Sequence, residues 1–285
     1  MTVNAPPMYM FACDHRWQWE EYFDAHVVPR ERIPHVKRLA FDGYLLARER
    51  SAAVRDYGAL LVDELYGSEV IADALAAGIR VATPAEKPGA VPLEWATDPF
   101  FAVLTGTIVK VLVRYRPDDG ADVQAGQWTK LDALQTWCRT AGKPLLIEVI
   151  VARKGEPEAE FEATGRPGML AGYIADAYRR GLTPEYWKIE GSLTSQAARI
   201  IDAAIAANPS CRQIILGKAA SLATIDRWFA ACAASATAAG FAIGRSVYWE
   251  PAAAFLAGTT TAKDAADVIC SNYLQLIDAW ERSRS

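Results

Sequence analysis

The feature that most constrains this chain is an alternation. Short apolar runs recur at Met8–Cys13, Ala59–Val62, Ile79–Ala82, Ile108–Tyr115, Leu145–Val151, Tyr186–Glu190, Gln213–Leu216 and Phe241–Ile243. Between them lie stretches with apolar residues at helical spacing, such as Trp128, Leu131, Leu134 and Cys138, or Leu170, Tyr173, Ile174 and Ala177. Strands separated by helix-length segments pair in parallel through crossover helices. Eight such units within 285 residues fit a closed (β/α)8 barrel, commonly about 250 residues long, better than an open sheet. No composition shift marks a linker, so a single barrel domain over residues 1–285 is expected.

Composition narrows the function classes. Apolar residues make up 52 % and charged residues 22 %, as in a globular protein with a large core. The net charge is −4 and no basic run is dense enough to follow a phosphate backbone, so nucleic acid is not an expected partner. The five cysteines, Cys13, Cys138, Cys211, Cys232 and Cys270, have no C-x-x-C spacing, which argues for a reduced compartment rather than a disulfide framework. The N-terminal stretch lacks a signal-peptide pattern, and no run reaches the roughly 20 apolar residues of a membrane span. A cytoplasmic protein that meets a small-molecule substrate and no membrane is expected, with homo-oligomerisation left open.

Within this frame the polar residues of the strands stand out. Burying an ammonium is costly unless it is paired or neutralised, yet Lys188 sits inside the run Tyr186-Trp187-Lys188-Ile189-Glu190. Neighbouring side chains on a strand face opposite ways. If Val109, Val111 and Val113 face the helices, Lys110 and Leu112 face the barrel axis. By the same parity Glu148, Lys188 and Glu190 point inward on the next two strands. Asp14 and Asp63 end the first two strands, and Gly217-Lys218 and Gly244-Arg245 end the last two. The C-terminal ends of barrel strands form the active face.

Two lysines and a carboxylate on adjacent strands suggest amine chemistry. A second ammonium near Lys188, with partial desolvation, favours the free amine that attacks a ketone, and Glu148 is placed to move the protons. The competing reading is a structural Lys–Glu–Lys network lining the barrel. Gly217, Gly244 and Arg245 close strands whose loops often bind phosphate, because glycine lets the backbone approach and arginine supplies a planar fork. Asp14-His15-Arg16 could be read as part of a metal site, but His26 and His35 have no ligand spacing with it, so no metal is expected.

At these residues the chain resembles class I aldolases of the tagatose-1,6-bisphosphate aldolase type. The similarity runs through Phe11-Ala12-Cys13-Asp14-His15-Arg16, Leu61-Val62-Asp63-Glu64-Leu65-Tyr66-Gly67, Val109-Lys110-Val111-Leu112-Val113-Arg114-Tyr115, Leu145-Leu146-Ile147-Glu148, Tyr186 to Glu190, and Gly240 to Val247. It is closer still to the aldolase-like domain fused behind the kinase domain in many bacterial 5-dehydro-2-deoxygluconokinases of inositol catabolism. The resemblance implies a Schiff base on Lys188, proton transfer by Glu148 and a supporting charge on Lys110. It further places Asp14 where an acidic residue contacts substrate hydroxyls and Gly217, Gly244 and Arg245 at phosphate-binding positions, with no cofactor beyond the covalent lysine. His15, Arg16, Asp63, Glu190 and Lys218, polar groups at or near the strand ends, are added as candidate substrate or phosphate contacts. Three positions depart from the aldolases proper: His15 stands where they carry glutamine, Gly191 where a proline is expected, and Lys218 is unusual after Gly217.

The expected function is thus cleavage of a ketose phosphate, such as 2-deoxy-5-keto-gluconate 6-phosphate, into dihydroxyacetone phosphate and an aldehyde. A Schiff-base lyase acting on a sulfonated or unphosphorylated sugar, and a sugar-phosphate-binding barrel without turnover, are the alternatives.

Overall fold

The computed structural model describes residues 6–285. Eight parallel strands close into a barrel in sequence order: β1 (Met8–Ala12), β2 (Gly58–Leu61), β3 (Arg80–Pro84), β4 (Ile108–Tyr115), β5 (Leu145–Val151), β6 (Tyr186–Glu190), β7 (Arg212–Leu216) and β8 (Ala238–Ile243), with β8 pairing back onto β1. Closure removes the unpaired edges that an open sheet would expose. The chain is therefore a (β/α)8 barrel, as the alternation predicts.

Strand parity divides the side chains as expected. Val109, Val111 and Val113 of β4, Leu145, Ile147 and Val149 of β5, and Trp187 and Ile189 of β6 all pack in the layer between strands and helices. The other face of each strand turns to the axis, where Met10, Ala12, Leu61, Ile108, Leu146 and Ile214 fill the barrel. Lys110, Glu148 and Lys188 share this inward parity. In register, Glu148 of β5 lies beside Lys188 of β6, and Leu112 of β4 beside Glu148.

Helices cover most of the outside, and their ends follow local chemistry. Helix Ala121–Ala141 stops at Gly142, whose φ of 64° suits a glycine at a helix C-terminus. Thr194 and Ser221 cap helices Ser195–Ala206 and Leu222–Ala231 through their side-chain oxygens. Helix Glu64–Ala76 begins directly after β2, where the Asp63 carboxylate caps it by accepting from the Tyr66 amide at 2.9 Å. The last helix, Ala262–Arg284, packs along Ile33–Arg50 and seals the β8–β1 side.

Two connections differ from a regular strand–helix alternation. After β3 the chain forms no α-helix; a proline-containing loop with one short 3-10 turn, Phe100–Val103, covers the wall instead. Trp95 and Phe100 of this loop pack on each other, and Phe100 packs on Trp137 of the next helix. After β5, the polar stretch from Arg153 to Pro167 turns helical at Glu158. It passes through a π-turn at Phe161–Gly165 and runs into helix Arg166–Arg179. The fully buried Arg166 ties this segment to the end of β6: its guanidinium donates to the carbonyls of Glu190 and Gly191 at 3.0 and 2.8 Å and pairs with Glu162.

Candidate active site

The C-terminal ends of the strands surround a cavity of about 290 Å³. Lys188 and Glu148 form its floor. Lys188 Nζ lies 3.0 Å from Glu148 Oε2, and Lys110 Nζ lies 3.0 Å from the same oxygen. Both lysines are almost completely buried, at 4 % and 2 % exposure, so neither charge is screened by bulk water. Lys110 also pairs with Glu86 Oε1 at 2.7 Å and Asp14 Oδ2 at 3.3 Å.

These contacts correct one expectation. Lys110 is not a lone second ammonium beside Lys188. Three carboxylates face it, Asp14, Glu86 and Glu148, and Arg16 reaches Glu86 from the other side at 3.7 Å. Its main electrostatic work is to hold those carboxylates charged in a dry site. Burial alone would lower the Lys110 pKa, but Glu148, Glu86 and Asp14 outweigh it and raise it. For Glu148, burial pushes the carboxyl up while Lys110 and Lys188 pull it below the ordinary range. Asp14 follows the same balance: burial raises it, and Lys110 and Lys188 hold it well below the usual carboxylate value. Glu148 and Asp14 are therefore acceptors at neutral pH.

Sequence reasoning missed Glu86. It sits in the irregular segment after β3, held by an antiparallel bridge to Trp95, and its second oxygen accepts the Leu112 amide at 3.1 Å. No strand periodicity marks it. Arg114 was also left out of the expected site, although it shares the inward parity of Lys110 and Leu112. It is exposed on the cavity wall.

At the far edge lie Gly217, Lys218, Gly244 and Arg245, all lining the same cavity. The chain turns at Gly217–Ala220 with Lys218 and Ala219 both left-handed (φ 46° and 57°), closed by an Ala220 amide bond to the Gly217 carbonyl at 2.8 Å. Two successive non-glycine residues in that region cost conformational energy that ordinary loops avoid. Gly244 admits no side chain, because a Cβ there would run into the Ala12 carbonyl and the His15 ring. Arg245 begins helix Arg245–Leu256, and its buried Nε has no partner among the described residues. Backbone amides at a helix start and a free guanidinium together suit an anion.

Asp14, His15 and Arg16 all line the cavity, but two other expected contacts do not. Asp63 is fully buried away from it, capping its helix and pairing with Lys37 at 2.6 Å. Lys37, itself fully buried, also donates to the Cys13 and His15 carbonyls on either side of Asp14, at 2.5 and 2.8 Å. The pair braces the end of β1. Lys37 shares the helical stripe of Ile33, Ala40, Phe41 and Tyr44, the signal that could have revealed it. Glu190 is likewise drawn out of the cavity, its carboxylate held by Lys218 at 2.8 and 3.0 Å. Gly191, where proline was expected, lies under Trp228, whose ring a Cβ would strike.

Among the described residues, no group of three or more His, Cys, Asp and Glu side chains is arranged to hold a metal ion, and no helix is long and apolar enough to cross a membrane. Fold and cavity define a (β/α)8 barrel with a buried lysine–carboxylate cluster at its active face. The chain belongs to the family described as "Uncharacterized protein conserved in bacteria (DUF2090)", which matches residues 2–284. No curated protein matches it. Among solved structures it is similar to a fructose-bisphosphate aldolase from Slackia heliotrinireducens, with a TM-score of 0.58 and 12 % identity over 93 % of this chain and 86 % of that one. It is similar also to the protein Cgl0159 of Corynebacterium glutamicum, with a TM-score of 0.57 and 12 % identity over 94 % and 85 %. At these identities the likeness concerns the fold.

Proposed function

We propose that this protein is a class I aldolase in which Lys188 forms a Schiff base with a ketose phosphate. One observation carries the reading: Lys188 and Glu148 are register partners 3.0 Å apart on the floor of a cavity whose rim holds the unpaired Arg245. A purely structural ion pair has no need of an open cavity above it.

The chemistry follows from the geometry. A proton passes from the Lys188 ammonium to the Glu148 carboxylate, freeing the amine lone pair. The amine adds to the ketone carbon, and a proton of the new ammonium nitrogen passes to the oxygen to give a neutral carbinolamine. Glu148, now an acid, donates to that hydroxyl; water leaves and an iminium forms. The iminium accepts the electron pair of the adjacent C–C bond as the neighbouring hydroxyl loses its proton, and the aldehyde departs. Asp14, charged and on the cavity wall, is suited to take that proton. Protonation of the enamine and hydrolysis then return the ketone and Lys188. Lys110 keeps Asp14 and Glu148 ionised and in place. Gly217, Gly244 and Arg245 hold the phosphate end, flanked by Lys218, whose ammonium is paired with Glu190.

The substrate class is a ketose phosphate such as 2-deoxy-5-keto-gluconate 6-phosphate, giving dihydroxyacetone phosphate and an aldehyde in the cytoplasm. The resemblance to the aldolase-like domain of inositol catabolism supports it, as does the similarity in fold to a fructose-bisphosphate aldolase. The reading needs no metal, because the iminium is the electron sink. Borohydride reduction in the presence of dihydroxyacetone phosphate, followed by peptide mass spectrometry, should place one adduct on Lys188 and none in Lys188→Met. An unmodified Lys188, or an adduct that survives the substitution, overturns the reading.

A further inference from the structure

We propose that His15 is a locked hydrogen-bond donor at the anion end of the cavity: Trp19 and Tyr248 fix its ring in the neutral tautomer that carries the proton on Nε2. That N–H is offered to a phosphoryl or hydroxyl oxygen of the ligand.

Hydrogen-bond direction sets the tautomer. Trp19 Nε1 lies 3.1 Å from the Tyr248 hydroxyl, and an indole nitrogen can only donate. Both side chains are fully buried, and Trp19 is stacked on Trp249 at 3.9 Å, which fixes the indole plane. The phenol oxygen thus receives one hydrogen and must place its own. Its one further partner among the described residues is His15 Nδ1, at 3.1 Å. A buried hydroxyl left without an acceptor costs about 1–3 kcal/mol, so the phenol donates and Nδ1 accepts. A neutral imidazole that accepts on one nitrogen carries its proton on the other.

Among the described residues the ring has no second hydrogen bond, and His15 lines the cavity next to Gly244 and Arg245. A Cβ on Gly244 would meet His15 Cε1 at 3.1 Å, which places the edge of the ring against the backbone of the anion site. Burial lowers the imidazole pKa to about 3; the positive charges of Arg245, Lys37 and Lys188 push the same way, against Asp14. The ring is accordingly neutral at pH 7, in keeping with the tautomer drawn from geometry alone.

The assignment has a chemical consequence. A histidine beside a catalytic carboxylate invites the role of general base, but an imidazole with Nδ1 occupied and Nε2 protonated has no lone pair to offer the ligand. It selects for acceptors and against donors. An amide side chain at this position could turn either its N–H or its carbonyl to the ligand; the Trp19–Tyr248 relay removes that choice.

The tautomer does not depend on the aldolase reading, whereas the identity of the accepting oxygen does. Three histidines make the 285-residue chain labelled with ¹⁵N-histidine tractable by NMR, and His15→Gln assigns the His15 signals. At pH 7 the expected state is an unprotonated Nδ1 and a protonated Nε2, and inorganic phosphate should shift the Nε2–H resonance. Tyr248→Phe keeps the packing but removes the phenol proton, so protonated Nδ1 should appear. His15→Phe should weaken phosphate binding about tenfold to a hundredfold, the usual range for one hydrogen bond to a charged group, and His15→Gln should recover most of it. A protonated Nδ1 in the wild type, an unchanged tautomer in Tyr248→Phe, or His15→Gln binding no better than His15→Phe would each refute the proposal. If Lys188 gives no borohydride adduct while these results hold, the aldolase reading alone fails.

Discussion

Replacing Lys110 by methionine tests the electrostatic core of this barrel. Methionine matches the length and apolar stem of lysine but leaves Asp14, Glu86 and Glu148 facing one another without the cation 2.7–3.3 Å away. Removing one partner from a buried ion pair costs about 3–5 kcal/mol, because the remaining charge is desolvated and unpaired. With Lys110 only 2 % exposed, solvent screening does not soften that loss. The pH dependence gives the sharper test. In the wild type, Asp14 and Glu148 have pKa values lowered below their unfolded values, so their stabilising contribution is full above about pH 4 and is lost as the pH falls through the folded values. In Lys110→Met the largest charge opposing burial is gone and only Lys188 still pulls on both carboxyls, so they rise, and protonation relieves the variant as the pH drops. The raised pKa of Lys110 keeps it charged throughout this window, so it adds no slope of its own. Urea unfolding followed by circular dichroism should therefore show a deficit of about 3–5 kcal/mol at pH 7 that narrows markedly by pH 5. A deficit below about 1 kcal/mol, or one equal at both pH values, would refute the assignment of Lys110 as the charge that holds these carboxylates ionised.

Two further substitutions separate chemistry from structure. Glu148→Gln keeps an acceptor for Lys188 and Lys110 but removes the proton carrier, so the rate of borohydride-trappable adduct formation should fall about 10²–10⁴-fold with the fold intact; an unchanged rate would assign proton transfer elsewhere. Asp63→Asn should destabilise by about 3–5 kcal/mol, since it strands the fully buried Lys37. Its effect should appear in thermal or urea unfolding before it appears in ligand affinity, whereas the reverse order would restore Asp63 to the ligand site.

The residues that sequence parity could place are those whose direction is set by their own strand. In Val109-Lys110-Val111 and Trp187-Lys188-Ile189 the flanking apolar side chains must face the helices, so the lysines have only the axis to face. Glu148 follows by the same rule, and the alternation of runs and helices determines the barrel that gives the axis meaning. Parity also turns Arg114 inward, onto the cavity wall. It says nothing of which counter-charges arrive from afar. Glu86 reaches Lys110 from a loop without periodicity, and Lys218 draws the Glu190 carboxylate out of the cavity. Asp63 ends a strand as an active-face residue would, yet it caps a helix and pairs with Lys37. His15 and Tyr248, 233 positions apart, meet only because β1 and β8 are hydrogen-bonded neighbours. The sequence by itself determined the barrel and the inward lysines, because period-two alternation is a local property of each strand. Which charges meet, and which way each hydrogen bond runs, was decided only by closure of the barrel, which brings chemically complementary groups together from opposite ends of the chain.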